Sequence, residues 1–464
     1  MNVRGGLRAV VHRAVLPAGL THREHRFLRL HLLSSLFSGV VYGAMNLADV
    51  TLAKTLAGGA FQLTVFNVLI GVSYLGSLFF VGMMRGRPKA LFILLFAAAG
   101  RLGFWLLPLS SRPGWFTFVL GLAWFCHALI LVAQVSIVQR AYPAEHRNTL
   151  FGISISIMTA MNLATSVALG WLLEWNEQAY AIYYGIAGTA GFAGAVLLAR
   201  LDRLIDRPAA GEAPSEGKPE IPARADAGSP LYRPMGQPGV GAAMRSMRAS
   251  VALVARILRD DGRYRRFQVH FFLYGIAFLS MTPVVPLFLV HDLQLDYGQI
   301  GLAKGLMGQA GQILFPPLLG RMMHGQGPVR FSGRMFALLS LHTLLLVAAG
   351  LVPPGARIPV TYVAFALFGV SMAGVNLAWH MSSLHFSGRD DPSAYQAVHT
   401  VLTGVRGSFA PLIGYAFMAG GSRLAAFAFS TLLLLIAALG MGRMAGAEDR
   451  ARAAEERRPS PSEY

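Results

Sequence analysis

The residues of this sequence that could do chemistry are few and stand among apolar neighbours. Ser35, Ser38, Tyr42, Asn46 and Asp49 follow one another at spacings of 3, 4, 4 and 3, which puts all five on one face of a helix. Such a stripe suits hydrogen bonding to a polar solute or carriage of a proton. It also suits packing between helices, and Asp49, at the end of the stripe, has simple exposure as an alternative. His127 and Gln134, seven apart, share a face, as do Asn376 and His380, four apart; Asn162 and Tyr274 stand alone. The cations are less ordinary. Lys304 and Arg406 both lie inside apolar runs, and His399 sits two turns before Arg406 on the same face. A guanidinium offers paired donors that match a carboxylate or phosphate.

Enzymatic chemistry has no recognisable motif here. The sequence contains no Gly-x-Ser-x-Gly elbow, no His-Glu-x-x-His pair and no Gly-x-x-x-x-Gly-Lys-Ser/Thr loop, the arrangements that activate a serine, hold zinc or cradle a phosphate. His22 and His25 are three apart, but they flank Glu24, which with Thr21 forms a Thr-x-x-Glu capping box. That segment reads as a helix start. No catalytic residue, metal or cofactor is expected.

The elements that must position these residues follow from composition. The chain has 464 residues, of which 54% are hydrophobic and only 13% charged, against about 25% charged in soluble proteins. Lipid is therefore the solvent for most of the chain. Cys126, the single cysteine, cannot form an intramolecular disulfide. The net charge of +18 does not mark a nucleic-acid binder, because the basic residues lie between apolar runs and not on one soluble surface. Arg outnumbers Lys 36 to 4, a bias that fits a GC-rich bacterial genome.

A spanning helix needs about 20 apolar residues to cross a ~30 Å hydrocarbon core. Runs that meet this lie near 27–53, 61–84, 90–110, 115–138, 148–173 and 180–200, and again near 267–291, 297–320, 331–352, 358–384, 396–420 and 421–444. The predicted fold is all-α, twelve transmembrane helices in two six-helix bundles. The bundles occupy 27–200 and 267–444, with tails at 1–26 and 445–464 and a linker at 201–266. From Arg207 to Gly241 the linker is rich in Pro, Ala, Gly, Glu and Ser, a composition too poor in apolar surface to order itself. Ala242 to Arg266 reads as a basic amphipathic helix on the cytoplasmic face, or equally as a plain helical lead into the seventh span.

Orientation follows from the basic residues, which are retained on the cytoplasmic side. With the N-terminus inside, 32 Lys and Arg fall in cytoplasmic segments and only Lys54, Arg112, Arg357 and Arg423 fall outside. Arg29, Arg101, Lys304 and Arg406 lie within helices. The expected location is the cell inner membrane, with both termini cytoplasmic. The Arg-rich first 26 residues lack the apolar core of a signal peptide and read as retained.

The two halves repeat. The second cytoplasmic turn of the first half reads Gly82-Met83-Met84-Arg85-Gly86-Arg87-Pro88-Lys89, and that of the second half Gly320-Arg321-Met322-Met323-His324-Gly325-Gln326-Gly327-Pro328. Tyr142-Pro143-Ala144-Glu145-His146-Arg147 lies between the fourth and fifth spans, and Arg406-Gly407-Ser408-Phe409-Ala410-Pro411-Leu412-Ile413-Gly414 within the eleventh. On these residues the chain resembles the major facilitator superfamily, whose basic, Gly-rich loop follows the second helix and is echoed after the eighth. Neither loop copy has the acid usual in that family. The fourth span has no Arg and the fifth no Pro, which sets the chain apart from the drug/proton antiporters of that superfamily.

The resemblance implies a secondary transporter that alternates access by rocking one bundle against the other around a site near the bilayer midplane. It makes the first helix cavity-lining and places the eighth and eleventh beside the same cavity. The third helix is peripheral, so Arg101 reads as structurally paired. The substrate-cavity candidates are Tyr42, Asn46, Asp49, His127, Gln134, Asn162, Lys304, Asn376, His380, His399 and Arg406. The expected partners are a small solute, an organic anion on the evidence of Arg406 and Lys304, with a coupling ion such as a proton, and the lipid bilayer; a monomer is expected. The competing reading is a non-transporting membrane sensor or assembly factor on the same fold.

Overall fold

The computed structural model describes residues 20–84, 88–142, 144–205, 240–387 and 392–456. Most of the N-terminal tail, Arg85 to Arg87 of the first loop, Pro143, 206–239 of the linker and the last eight residues lie outside the described residues. Regular structure among the described residues is entirely helical. In hydrocarbon that is what the backbone requires, since each N–H and C=O must find its partner within the segment.

In the first half, α1 covers His22–Lys54, α2 Ala60–Met84, α3 Lys89–Leu109, α4 Pro113–Ala141, α5 Ala144–Trp175 and α6 Tyr180–Ile205. A linker helix, α7, covers Val240–Asp260. In the second half, α8 covers Gly262–Asp292, α9 covers 297–326, α10 covers 328–351, α11 Pro354–Ser387, α12 Pro392–Ala419 and α13 Arg423–Glu456. The capping box forms as read: the Thr21 hydroxyl accepts from Glu24 N at 3.2 Å, and Thr21 N donates to the Glu24 carboxylate at 2.7 Å. α9 and α10 are separated only at Gly327, whose φ of 75° and ψ of 158° turn the chain. Asp261 separates α7 from α8 by accepting from Tyr264 N at 2.8 Å, so the linker helix is an element of its own.

By length and composition, nine helical stretches among the described residues can cross a membrane. Two helices outside that set, α9 and α12, carry the polar residues of interest, among them Lys304, Gln309, His399 and Arg406; in α2 the apolar stretch Ala60–Gly76 is described.

The two halves pack alike. α1 lies against α5 and α6, as α8 lies against α12 and α13; α4 packs on α2 and α3, as α11 packs on α9 and α10. The cores show how the halves meet. One apolar cluster joins Leu47, Val50, Leu52 and Leu63 of the first half to Val284, Leu295, Tyr297, Ile300 and Ala303 of the second. It sits at the end away from the chain termini, here called the outer end. Towards the inner end the cores are separate, one around Phe27, Ile93 and Ile137, the other around Phe267, Phe271 and Phe336. α5 packs on α9, and α2 crosses α12. At that crossing a Cβ on Gly71 would stand 2.2 Å from the Gly407 carbonyl carbon, so both helices need glycine there. No comparable contact joins α4 or α5 to α11 or α12 among the described residues. Among the described residues the cores therefore join at the outer end and are separate towards the inner end, where α7 touches one helix of each bundle.

Candidate functional site

Asp49 and Lys304 meet across the seal. α1 breaks at Leu47, where φ is −101° and ψ 2°, and resumes at Ala48, so Asp49 stands in the first turn of the new segment. Lys304 sits in a π-helical turn, Gly301–Met307, a wide turn often found at functional positions. The Lys304 ammonium donates to both Asp49 oxygens, at 2.6 and 2.8 Å, and the side chains are only 11% and 20% exposed. One turn further out, Thr55 hydrogen-bonds the Tyr297 hydroxyl and donates to Glu177 at 3.2 Å. Tyr297 N donates to Glu174 at 2.6 Å. Lys54 adds ion pairs to Glu174 at 3.6 Å and Glu177 at 3.9 Å, and lies over the Tyr297 ring at 4.5 Å. Charge and apolar packing therefore close the outer end together. Thr55, Glu174, Glu177 and Tyr297 were not among the sequence candidates; their signal, polar residues at span ends, is shared by every loop.

Inside the first bundle, Tyr42 Oη lies 2.6 Å from His127 Nε2, with the rings edge to face at 4.9 Å. Which atom donates depends on the imidazole tautomer. Asn46 donates to Ser166 Oγ at 3.2 Å, and Ser166 Oγ lies 3.2 Å from both Asn162 Oδ1 and Gly43 O. These links tie α1 to α4 and α5. Gln134 is half-buried on α4. Arg101 is buried and donates to the Gly191 carbonyl, joining α3 to α6.

The second bundle divides its candidates. Asn376 and His380 are exposed on α11; Asn376 reaches Gln312 at 3.5 Å, and the His380 ring meets Trp379 edge to face at 4.6 Å. His399 and Arg406 are buried instead, at 1% and 5% exposure. His399 Nδ1 lies 2.9 Å from the Gln268 amide. Arg406 donates to Phe271 O at 2.7 Å and to Thr403 Oγ1 at 3.1 Å, and its guanidinium faces the rings of Phe271 and Tyr274 at 5.7 and 5.5 Å. Gly275 makes room for it, since a Cβ there would stand 2.2 Å from Arg406 Nε. Arg406 Nε and His399 Nε2 are buried without a hydrogen-bond partner among the described residues. Lys304 and Arg406 do not share one site: the lysine faces Asp49, and the arginine staples α8 to α12.

Among the described residues no group of three or more His, Cys, Asp or Glu side chains could hold a metal ion. Among the described residues the arrangement offers a closed outer latch and polar groups on α1, α4 and α11.

Comparison with known proteins bears on the family and the fold. A family model described as Major Facilitator Superfamily matches residues 30–383. No curated protein matches the sequence. Among solved structures, a POT family transporter in complex with 5-aminolevulinic acid aligns with a TM-score of 0.66 at 14% identity, covering 91% of this chain and 96% of that one. An auto inhibited POT family peptide transporter aligns at 0.61 and 16%, covering 95% and 98%. The nucleoside transporter NupG aligns at 0.57 and 12%, covering 92% and 98%. At such identities the likeness is one of fold. With the family matched over most of its length, the chain belongs to the Major Facilitator Superfamily and is a multi-pass membrane transporter, not an enzyme.

Proposed function

We propose that the chain is a gradient-driven secondary transporter that moves a small organic anion by alternating access, in the inner membrane with both termini cytoplasmic. The observation that carries this reading is the Asp49 to Lys304 pair, which joins the bundles at the outer end, where their described apolar cores also merge. When the bundles rock, the pair must separate. Asp49 then loses its cation and becomes a carboxylate able to take a proton, and Lys304 becomes free to meet an anion. Arg406 supports the anion assignment, since its Nε has no hydrogen-bond partner among the described residues and no Asp or Glu lies between Asp296 and Asp390.

The test is uptake of labelled organic anions, cations and sugars into proteoliposomes, with and without a proton gradient. The reading expects gradient-dependent accumulation of an anion. Asp49→Asn should abolish accumulation and leave exchange intact, and Arg406→Lys should weaken anion transport with normal protein levels. Accumulation of cations or sugars alone would sink the anion assignment, and unchanged accumulation by Asp49→Asn would remove the coupling role.

A further inference from the structure

The linker helix α7 has two unlike faces. Val254 is buried in the second-half core, with Ile257 and Leu258 packed against it. Through this face α7 rests on α8 and touches both α2 and α12, one helix from each bundle. The opposite face is exposed and carries Arg248, Val251, Ala252, Ala255, Arg256 and Arg259, residues that recur three to four apart on one helical stripe.

The three arginines differ from the basic residues that follow them. Arg263 pairs with Glu448 at 2.7 Å, Arg265 donates to the Leu258 and Arg259 carbonyls that end α7, and Arg266 donates to Gly262 O. The guanidinium groups of Arg248, Arg256 and Arg259 have no ion pair or hydrogen bond among the described residues, and Asp260 is the acid beside them. Between them Val251 is 54% exposed. Unpaired guanidinium groups flanking exposed apolar side chains match an interface of acidic headgroups over acyl chains. A nucleic acid would gain nothing from Val251.

We propose that α7 seats its stripe of Arg248, Arg256 and Arg259 on a membrane surface rich in acidic phospholipid headgroups, and so holds the crossing of α2 and α12 in the described conformation. The membrane then acts as a clamp on both bundles at once. Each arginine contributes roughly fivefold to the ratio of seated to displaced helix, the equivalent of ~1 kcal/mol per basic residue near an anionic surface.

The experiment uses the full-length protein with Cys126→Ala and Val251→Cys, labelled with an environment-sensitive fluorophore. It is placed in vesicles of phosphatidylcholine, or of phosphatidylcholine with about one third phosphatidylglycerol. The expected result is a blue shift and protection from an aqueous quencher only with phosphatidylglycerol. Both should be lost near 1 M salt, where the Debye length is about 3 Å. R248Q/R256Q/R259Q should lose both, by roughly a hundredfold in the seated ratio, whereas R248K/R256K/R259K should keep them because the charge remains. Equal emission in the two vesicles, persistence in the glutamine variant, or a response to RNA or inorganic phosphate and not to phosphatidylglycerol would overturn the proposal. Failure of the glutamine variant to fold is separated by the lysine variant, whose loss of the shift would also overturn it. The readout needs no solute and is independent of the transport reading.

Discussion

Lys304 on α9 holds both carboxylate oxygens of Asp49 on α1, at 2.6 and 2.8 Å, across the contact between the two bundles. Removing one partner of a fully buried pair costs about 3–5 kcal/mol. Because these side chains are 11% and 20% exposed, on the order of 2 kcal/mol is the appropriate figure here. Lys304→Met should therefore shift the population toward outer-open states by roughly thirtyfold. Labelling of a cysteine at Thr55 by a membrane-impermeant thiol reagent should rise accordingly, and the exchange Asp49→Lys with Lys304→Asp should bring it back toward the wild-type rate. Labelling unchanged by Lys304→Met would show that the apolar seal alone closes the outer end.

Gly275 and Arg406 form a second dependent pair. A methyl group at Gly275 would stand 2.2 Å from Arg406 Cδ, so Gly275→Ala must displace the side chain that donates to Phe271 O and Thr403. The cost should be about 1–3 kcal/mol, as for other overpacked sites, read as a lower unfolding temperature in detergent. In a double-mutant cycle with Arg406→Gln the two losses should fall short of additivity, because both remove the same staple. Strict additivity would show that Gly275 matters for some other reason.

The crossing of α2 and α12 should be equally sensitive. Gly71→Val places a branched side chain where even a Cβ lies 2.2 Å from the Gly407 carbonyl carbon, and neither backbone can yield without moving a bundle. The variant should disfavour the described conformation while leaving each bundle folded. Crosslinking between cysteines at Leu75 and Gly404, which face each other in this state, should drop at least tenfold, equivalent to about 1.4 kcal/mol. Unaltered crosslinking would mean that the helices separate easily at this point.

Topology is open to direct measurement. The imbalance of 32 basic residues against 4 predicts that reporters fused after Arg207 and after Tyr464 are active only where a cytoplasmic reporter works. A periplasmic signal at either site would reverse the orientation and assign the sealed end to the cytoplasmic side.

Much of the fold was legible in the sequence because hydrocarbon imposes one rule, a run of about 20 apolar residues for each crossing. The runs, the capping box at Thr21 and the doubling of six helices all follow from local composition and spacing. The run from Ser35 to Asn46 shares a face by helical geometry, but the break at Leu47 sets Asp49 in a new segment. What helical geometry leaves open is the element that each face meets. Asp49 and Lys304 are 255 positions apart, so their pairing depends on how two separately folded bundles lean together. By its spacing Arg406 shares a face with His399. The structure gives its two terminal nitrogens to Phe271 and Thr403, because Gly275 leaves a gap on α8 that an extended guanidinium fills. The π-helical turn that carries Lys304 has no local signature, since one extra residue in a turn is stabilised by the partner helix and not by its own sequence. Sequence alone thus determined the solvent, the elements and the residues worth watching. Tertiary packing decided which charges met, because a buried charge settles on whatever partner the folded bundles bring within reach.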